Sequence, residues 1–341
     1  MRTSNEFKTL KVLGGAAAMA GAVALAVSCG GGGGDDDAAP PVNEQPTAID
    51  TAGVTSAITD FGGLVAVCQD GTTGVLRSAH APSLVRAILI GSPVLRGSAL
   101  GLPTERPQAL GTTPPADQLG SCGGRYGYRN YSHLDGVTRA TLAFEGYCQL
   151  DSDTGDKQTM NGGITFVNTA TPTATGPITT QLEASTSTAL TSVTKNAAGT
   201  VTSAQTTNFT AFKMVVGVPG GAPTAAKPNV ISMGEITVRN DANGKVYRET
   251  NYALTQYVNE VGNTEWTMTG RGYRSAGTYF DIATTQPMVQ STSGDILSGK
   301  IAFTGANGSN AVATVVPAST LQVKMTINGT ALTSVPACAT R

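Results

Sequence analysis

Three aspartates within six residues are the best candidates for holding a cation: Asp151, Asp153 and Asp156. Carboxylates at alternate positions around a glycine are the ligands that open a calcium loop. The place where such a loop carries its bidentate glutamate is occupied by Gly162. Because Asp and Gly also dominate tight turns for reasons of backbone geometry, a polar hairpin turn is the favoured interpretation. The aspartates stay a weak metal candidate, and no cofactor is expected.

A second group of residues suited to binding combines tyrosines with arginines a few residues after Cys122. Its members are Arg125, Tyr126, Tyr128, Arg129 and Tyr131. Tyr and Arg are favoured at recognition surfaces. They are equally ordinary on a β-hairpin, where cross-strand aromatic pairs support the sheet. The group is therefore a weak binding candidate, and the hairpin interpretation leads.

Catalytic motifs receive little support from the sequence. A Ser–His–Asp triad would have to use one of the two histidines, His80 or His133, and neither lies in a partner motif. Ser192 and Lys195 have the S-x-x-K spacing of penicillin-binding enzymes. The S-D-N and K-T-G motifs that accompany that spacing are missing from the chain. We expect that the protein is not an enzyme.

Four cysteines besides Cys29 make an even number, which favours disulfides in an oxidising compartment. Three pairings of four cysteines are possible. We favour Cys122–Cys148, which would join the two ends of one hairpin. The remaining pair, Cys68–Cys338, would then tie the N-terminal part of the body to the end of the chain.

The elements that must position these residues are strands. From residue 121 onward, apolar and polar residues alternate with period two, which is typical of antiparallel strands with one buried face. The last such strand places Leu321, Val323, Met325 and Ile327 on one side and Lys324 on the other. Asn-Gly and similar turn signals separate the strands. The pattern predicts a mainly all-β fold, a large curved antiparallel sheet forming a taco-like or barrel-like meander.

The first thirty residues predict where in the cell the protein is located. Arg2, Lys8 and Lys11 precede a run of Ala, Gly, Val and Leu that ends at Ser28 and Cys29. A basic start, an apolar middle and a small residue before the cleavage point are typical of a signal peptide. The alternative is a transmembrane anchor. The apolar run is shorter than the ~20 residues that a bilayer span needs, which favours a cleaved signal.

The segment Leu25–Cys29 resembles the lipobox of bacterial lipoproteins, with Ala26 where that family usually has Leu. The resemblance implies cleavage before Cys29 and attachment of acyl chains, palmitate among them, to that cysteine. Gly30 follows instead of Asp, which in this family argues against retention in the inner membrane. The resemblance thus implies an outer-membrane protein on the periplasmic face or the cell surface, with the membrane as its first partner.

The chain organisation follows from these signals. We predict a lipoprotein signal peptide at 1–28 and a disordered tether, rich in Gly, Asp and Pro, at 29–47. A small N-terminal unit at 48–120 holds a strand, one short helix near 82–90 and a Pro-rich loop, and the antiparallel β domain follows at 121–341. The hairpin bounded by Cys122 and Cys148 looks like segments of uncharacterised proteobacterial lipoproteins, as does the stretch 293–309, and neither adds an activity.

Composition excludes one class of partner. The net charge is −1, and removal of the signal, with three basic residues and one acidic residue, would make it −3, so nucleic acid is not an expected partner. The leading hypothesis is a lipid-anchored outer-membrane β protein with a non-enzymatic structural or binding role. One alternative is a carrier of an apolar ligand or lipid in the curved sheet. The other is a surface lipoprotein that binds a protein or glycan partner.

Overall fold

The computed structural model describes just over three fifths of the chain. The predicted helix near 82–90, the lipidation site Cys29 and Cys338 lie outside the described residues. The described residues are 44–50, 66–70, 73–77, 113–114, 116–152, 154–172, 178–242, 244, 246–273, 278–291, 296–316 and 322–331.

Within these residues every regular element is a β-strand except one 3-10 turn at Ala306–Gly308. The strands are β1 (Gln45–Pro46), β2 (Ala66–Asp70), β3 (Thr73–Arg77), β4 (Gln118–Leu119), β5 (Arg125–Leu134), β6 (Val137–Leu150), β7 (Lys157–Thr171), β8 (Ile178–Lys195), β9 (Val201–Thr210), β10 (Phe212–Val215), β11 (Asn229–Asn240), β12 (Val246–Val258), β13 (Thr264–Tyr273), β14 (Thr278–Gln290), β15 (Ile296–Thr304), β16 (Asn310–Val316), β17 (Gln322–Ile327) and β18 (Thr330–Ala331).

Sixteen strands belong to one large antiparallel meander sheet, and β2 pairs with β3 in a separate hairpin. Most neighbours in the sheet are consecutive in sequence. Exceptions are β1, which adds to β14 in parallel, and β9, which pairs with both β8 and β11. The prediction of a mainly antiparallel β meander is confirmed. In the described strands the order does not close on itself, so the sheet is not a regular barrel.

The chain divides into two compact units, here called the first and the second unit. The first unit contains β1–β3 and β12–β18, and the second contains β4–β11. In the second unit β8 is the longest strand, with 18 residues, and it pairs with β10 along its first part and with β9 along its last. Between β9 and β10, Ala211 has a φ of 50°, and its N–H donates to the Ser185 hydroxyl at 3.1 Å.

Alternating side chains build the core of each unit, because opposed residues of antiparallel strands share a face. Large side chains of the second unit that are buried include Leu142, Phe144, Met160, Phe166, Leu190, Phe209 and Met214. Those of the first unit include Ile49, Trp266, Met268, Phe280, Ile282 and Phe303. In β17, Lys324 is exposed and Ile327 is buried, as the alternation predicts. Leu321 and the side chains of Val323 and Met325 lie outside the described part.

Candidate functional site

The predicted disulfide is present in the second unit between Cys122 and Cys148, whose Cα atoms are 5.1 Å apart. Backbone hydrogen bonds support it: the Cys122 N–H donates to the Cys148 carbonyl at 3.2 Å, and the Cys148 N–H donates to the Gly123 carbonyl at 2.9 Å. The bridge therefore fixes the entry of β5 against the last part of β6. The other predicted pair is not described, since only the backbone of Cys68 lies within the described residues.

The two arginines of the Tyr/Arg group lie in an ion-pair network with Asp117 and Glu145. Arg125 Nε is 2.7 Å from a Glu145 oxygen, and Arg129 lies 2.9 Å from Asp117 and 3.1 Å from Glu145. Hydrogen bonds lower the pKa of Glu145, with the larger effect from Arg125 and the smaller from Arg129. The hydrogen bond from Arg129 lowers the pKa of Asp117. Because all four side chains are partly exposed, each pair contributes little stability.

The tyrosines of the same group lie on the other face of β5. Tyr128 is buried and makes edge-on ring contacts with Phe166 and Tyr131, at 6.1 and 6.2 Å between centroids. The Tyr126 ring stands edge-on to Tyr147 at 5.0 Å. The structure therefore does not bring the tyrosines and the arginines together on one surface. Alternation separates Tyr126 and Tyr128 from the arginines, and the register shift after Arg129 turns Tyr131 toward Tyr128.

The acidic segment forms the turn between β6 and β7. The Asp151 carboxylate accepts a hydrogen bond from the Thr154 N–H at 3.3 Å, and backbone bonds at 2.8 Å join Asp151 to Gly155 and to Asp156. Asp153 lies outside the described residues. In the described part of the chain, no three His, Cys, Asp or Glu side chains are grouped so as to hold a metal ion.

Of the catalytic candidates, the structure describes His133, Ser192 and Lys195, whereas His80 lies outside the described residues. His133 Nδ1 lies 2.8 Å from the Thr138 hydroxyl. Ser192 is buried and Lys195 is exposed, since residues three apart on a strand point to opposite faces. The S-x-x-K spacing therefore places its serine and its lysine on different sides of β8.

A group of uncharged polar side chains lies on one face of β6–β9, near the disulfide, and sequence reasoning did not single it out. We call it the amide–hydroxyl patch. Its members are Tyr147, Gln149, Gln158, Ser192, Thr194, Ser203, Gln205 and Thr207. Strand pairing arranges seven of them in two rows, and Thr207 follows Gln205 further along β9. The outer row runs Gln149, Gln158, Thr194, Ser203. The inner row runs Tyr147, Ser192, Gln205, with the apolar Met160 between Tyr147 and Ser192.

The two rows differ in exposure. The outer row is half-buried, whereas all four inner-row side chains, Met160 included, are buried. Hydrogen bonds connect the rows: Gln149 donates to the Tyr147 hydroxyl, and Gln158 Nε2 donates to the Ser192 hydroxyl at 3.0 Å. The Thr207 hydroxyl, two residues beyond Gln205 on the same face, is buried and has no hydrogen-bond partner among the described residues. A buried hydroxyl without a partner costs free energy.

In the first unit, residues 44–49 form what we call the N-terminal strap. Its first residue, Glu44, is 3.1 Å from Arg248 Nη1 and accepts a hydrogen bond from the Tyr273 hydroxyl at 2.8 Å. The Arg248 guanidinium also lies over the Tyr273 ring, 4.1 Å from its centroid. Two hydrogen bonds lower the pKa of the Glu44 carboxyl, with the larger effect from Tyr273 and the smaller from Arg248. Glu44 is therefore ionised at neutral pH.

The rest of the strap is held by backbone contacts and one apolar side chain. The Thr47 N–H donates to the Tyr279 carbonyl at 2.7 Å, and the Thr47 carbonyl accepts from the Ala306 N–H at 2.7 Å. The Ile49 N–H donates to the Ser309 hydroxyl at 2.9 Å. The Asn328 side chain donates to the Ile49 carbonyl at 3.1 Å, and the Ile49 side chain is 1% exposed. A loose tail would not bury its isoleucine, so the strap is part of the fold.

Beside the strap, β12 carries a buried carboxylate and a buried phenol, Glu249 and Tyr252. Asn251 between them has a φ of 53°, at a register shift against β13. Gly270 gives the carboxylate room, because a Cβ there would lie 2.7 Å from Glu249 Oε1. Burial raises the pKa of Tyr252 well above 10, and the nearby charge of Glu249 adds a smaller increase, so the phenol stays protonated.

Comparisons with known proteins found no match for this chain. Neither a protein-family model, nor a curated protein, nor a solved structure matches it. The described part of the chain contains no helix with the length and hydropathy that crossing a bilayer requires.

Proposed function

We propose that the protein is a lipid-anchored β protein of the outer membrane with a non-enzymatic structural or binding role. In this proposal signal peptidase cleaves before Cys29, acyl chains on that cysteine enter the membrane, and the following residues tether the folded body. The observation that carries the proposal is the lipobox-like segment Leu25–Cys29. The N-terminal strap supports it, because the chain that follows Cys29 leads into residues that are fixed to the sheet.

The strap gives an anchor a firm point of attachment. A load on Cys29 would reach the fold at Glu44, where the ion pair with Arg248 and the hydrogen bond from Tyr273 oppose displacement. The fifteen residues 29–43 reach about 50 Å when fully extended. Such a tether holds the body near the headgroups without pressing it into them.

The placement of the catalytic candidates supports the non-enzymatic part of the proposal. The hydroxyl of Ser192 is hydrogen-bonded to Gln158 on a face that Lys195 does not share. The polar groups that β6–β9 collect on one face are amides and hydroxyls, which bind and orient ligands. General acid–base catalysis, in contrast, usually uses His or a carboxyl group whose pKa is shifted toward the working pH.

Replacement of the lipidation site tests the proposal. Cys29→Ala should abolish incorporation of an alkyne-labelled fatty acid and leave an uncleaved precursor, whereas Ser28→Ala, which keeps a small residue before the cut, should label and fractionate like the parent. Both variants should be followed by labelling and by separation of inner and outer membranes. Persistent labelling of the Cys29→Ala protein in the outer-membrane fraction would refute lipid anchoring at this residue.

A further inference from the structure

We propose that the amide–hydroxyl patch of the second unit binds a neutral oligosaccharide. The inference deepens the proposed function and rests on its binding role, since it assigns that role a site and a ligand class. The patch presents side chains from four adjacent strands, which lie about 4.8 Å apart, so each row is about 14 Å long. A row of this length suits an extended ligand with repeated polar groups better than one small molecule.

The chemistry of the rows favours a ligand that both donates and accepts hydrogen bonds. Gln, Ser, Thr and Tyr side chains each offer both functions. Sugar hydroxyls do the same, and a site built around them rejects analogues that lack the hydroxyl. In the outer row Gln149, Gln158, Thr194 and Ser203 are half-buried, so part of each side chain faces solvent. The buried inner row holds two of them in place, since Gln158 donates to the Ser192 hydroxyl and Gln149 donates to the Tyr147 hydroxyl.

The two rows themselves carry no charge. Neither row contains an acidic or basic residue. The nearest lysines along the strands, Lys157 and Lys195, are exposed and point to the opposite face, because each directly adjoins a patch residue. Asp151 and Asp156, in the turn that continues β6 and β7 beyond the outer row, would repel an anionic ligand. Within the rows an ion of either sign would find no counter-charge, and burying its charge there would be costly. The ligand class is therefore neutral.

An aromatic ring beside the rows also fits an oligosaccharide. The half-buried ring of Tyr126, edge-on to Tyr147 at 5.0 Å, lies beside the β6 end of the rows and offers an apolar surface for the C–H face of a sugar ring.

The test is calorimetric titration of the full-length processed protein in a detergent that has no sugar headgroup. The neutral probes are maltohexaose, cellohexaose, chitohexaose and mannohexaose, and the charged probe is hexagalacturonate. We expect at least one neutral probe to bind and its affinity to change less than about twofold in about 1 M NaCl, where the Debye length is about 3 Å. Failure of all four neutral probes, or salt-sensitive binding of hexagalacturonate alone, would overturn the inference.

Matched variants locate the site. Gln158→Leu should weaken binding of the neutral probe about tenfold, since it removes a hydrogen-bonding group from the outer row. Lys157→Leu, one residue away on the opposite face, should leave the affinity unchanged. Ser203→Ala, a smaller change in the same row, gives a second test if Gln158→Leu alters the melting temperature. Equal effects of Lys157→Leu and Gln158→Leu would contradict the assignment. Fatty-acid labelling of Cys29 is read separately, so a labelled protein that binds no sugar refutes this inference and leaves the lipid anchor standing.

Discussion

Truncation of one buried side chain should release the N-terminal strap. In Ile49→Ala the backbone bonds to Ser309 and Asn328 remain possible, but the apolar contact that holds the strap is lost. Ile49 is 1% exposed, and removal of a fully buried isoleucine side chain costs about 2 to 5 kcal/mol. With about 3 kcal/mol in the middle of that range, the open state of the strap would be populated about a hundredfold more than in the parent protein.

Hydrogen exchange measures this opening directly. The N–H groups of Thr47 and Ala306 are bonded across the strap, so both should exchange about a hundredfold faster in Ile49→Ala, while amides of β6 and β7 in the second unit keep their rates. This local readout is preferable to one global unfolding curve, because a chain of two compact units need not unfold in a single transition.

The control is Gln45→Ala in the same strap. The Gln45 side chain is exposed, so its truncation should change stability by less than about 0.5 kcal/mol and leave both exchange rates as they are. If Ile49→Ala exchanged at the parent's rate at Thr47, or if Gln45→Ala had the same effect, the strap would not be held by its buried isoleucine and the reasoning would be refuted.

Three further outcomes are expected. Cys122→Ser should lower the stability of the second unit by roughly 3 to 4 kcal/mol through loss of the bond to Cys148, and a denaturant midpoint equal to the oxidised parent's would contradict this. Ile327→Asp should destabilise the first unit by several kcal/mol in a urea melt, whereas Lys324→Asp should be nearly neutral, and the opposite order would mean that the alternation of β17 is misassigned. Because folding lowers the pKa of Glu44, the ionised carboxylate stabilises the fold above its ordinary pKa of 4.5, and this stabilisation disappears as pH falls through the lower folded value. Glu44→Gln should therefore be less stable than the parent at pH 7 and equally stable in strong acid. A stability difference that does not depend on pH would contradict this role of the ionised carboxylate.

Local pattern was enough to predict the strands and their turns. Period-two alternation requires only a chain whose strands each bury one side, and this holds for Ile327 and Lys324 in β17. The Asn328-Gly329 turn followed from composition, since both residues adopt positive φ, at 49° and 80°. The Cys122–Cys148 pair could be predicted because both cysteines flank one hairpin.

The same alternation bears on the Tyr/Arg group. Arg125 and Tyr126 are adjacent on one strand, so the pleat alone assigns them to opposite faces. Tyr131 is the exception, because alternation alone would place it with Arg129. The register shift between Arg129 and Ser132 turns it to the side of Tyr128 instead.

The strap and the amide–hydroxyl patch depend on pairing between distant parts of the chain. Glu44 meets Arg248 across 204 residues, and no local signal records that contact. Ser192 and Gln205 become neighbours only through the register of β8 against β9. In a chain this rich in Ser and Thr, single polar residues are unremarkable. The one available signal was polar side chains at Ser203 and Gln205 on the face where Phe209 is buried.

The N-terminal peptide of the mature protein tests the central claim most directly. Mass spectrometry of that peptide, from protein extracted from the outer membrane, should show Cys29 as the first residue, with a diacylglyceryl group on its sulfur and an acyl chain on its amino group. A mature chain that keeps residues before Cys29, or that carries Cys29 as an unmodified thiol, would contradict lipid anchoring and the role proposed for the strap.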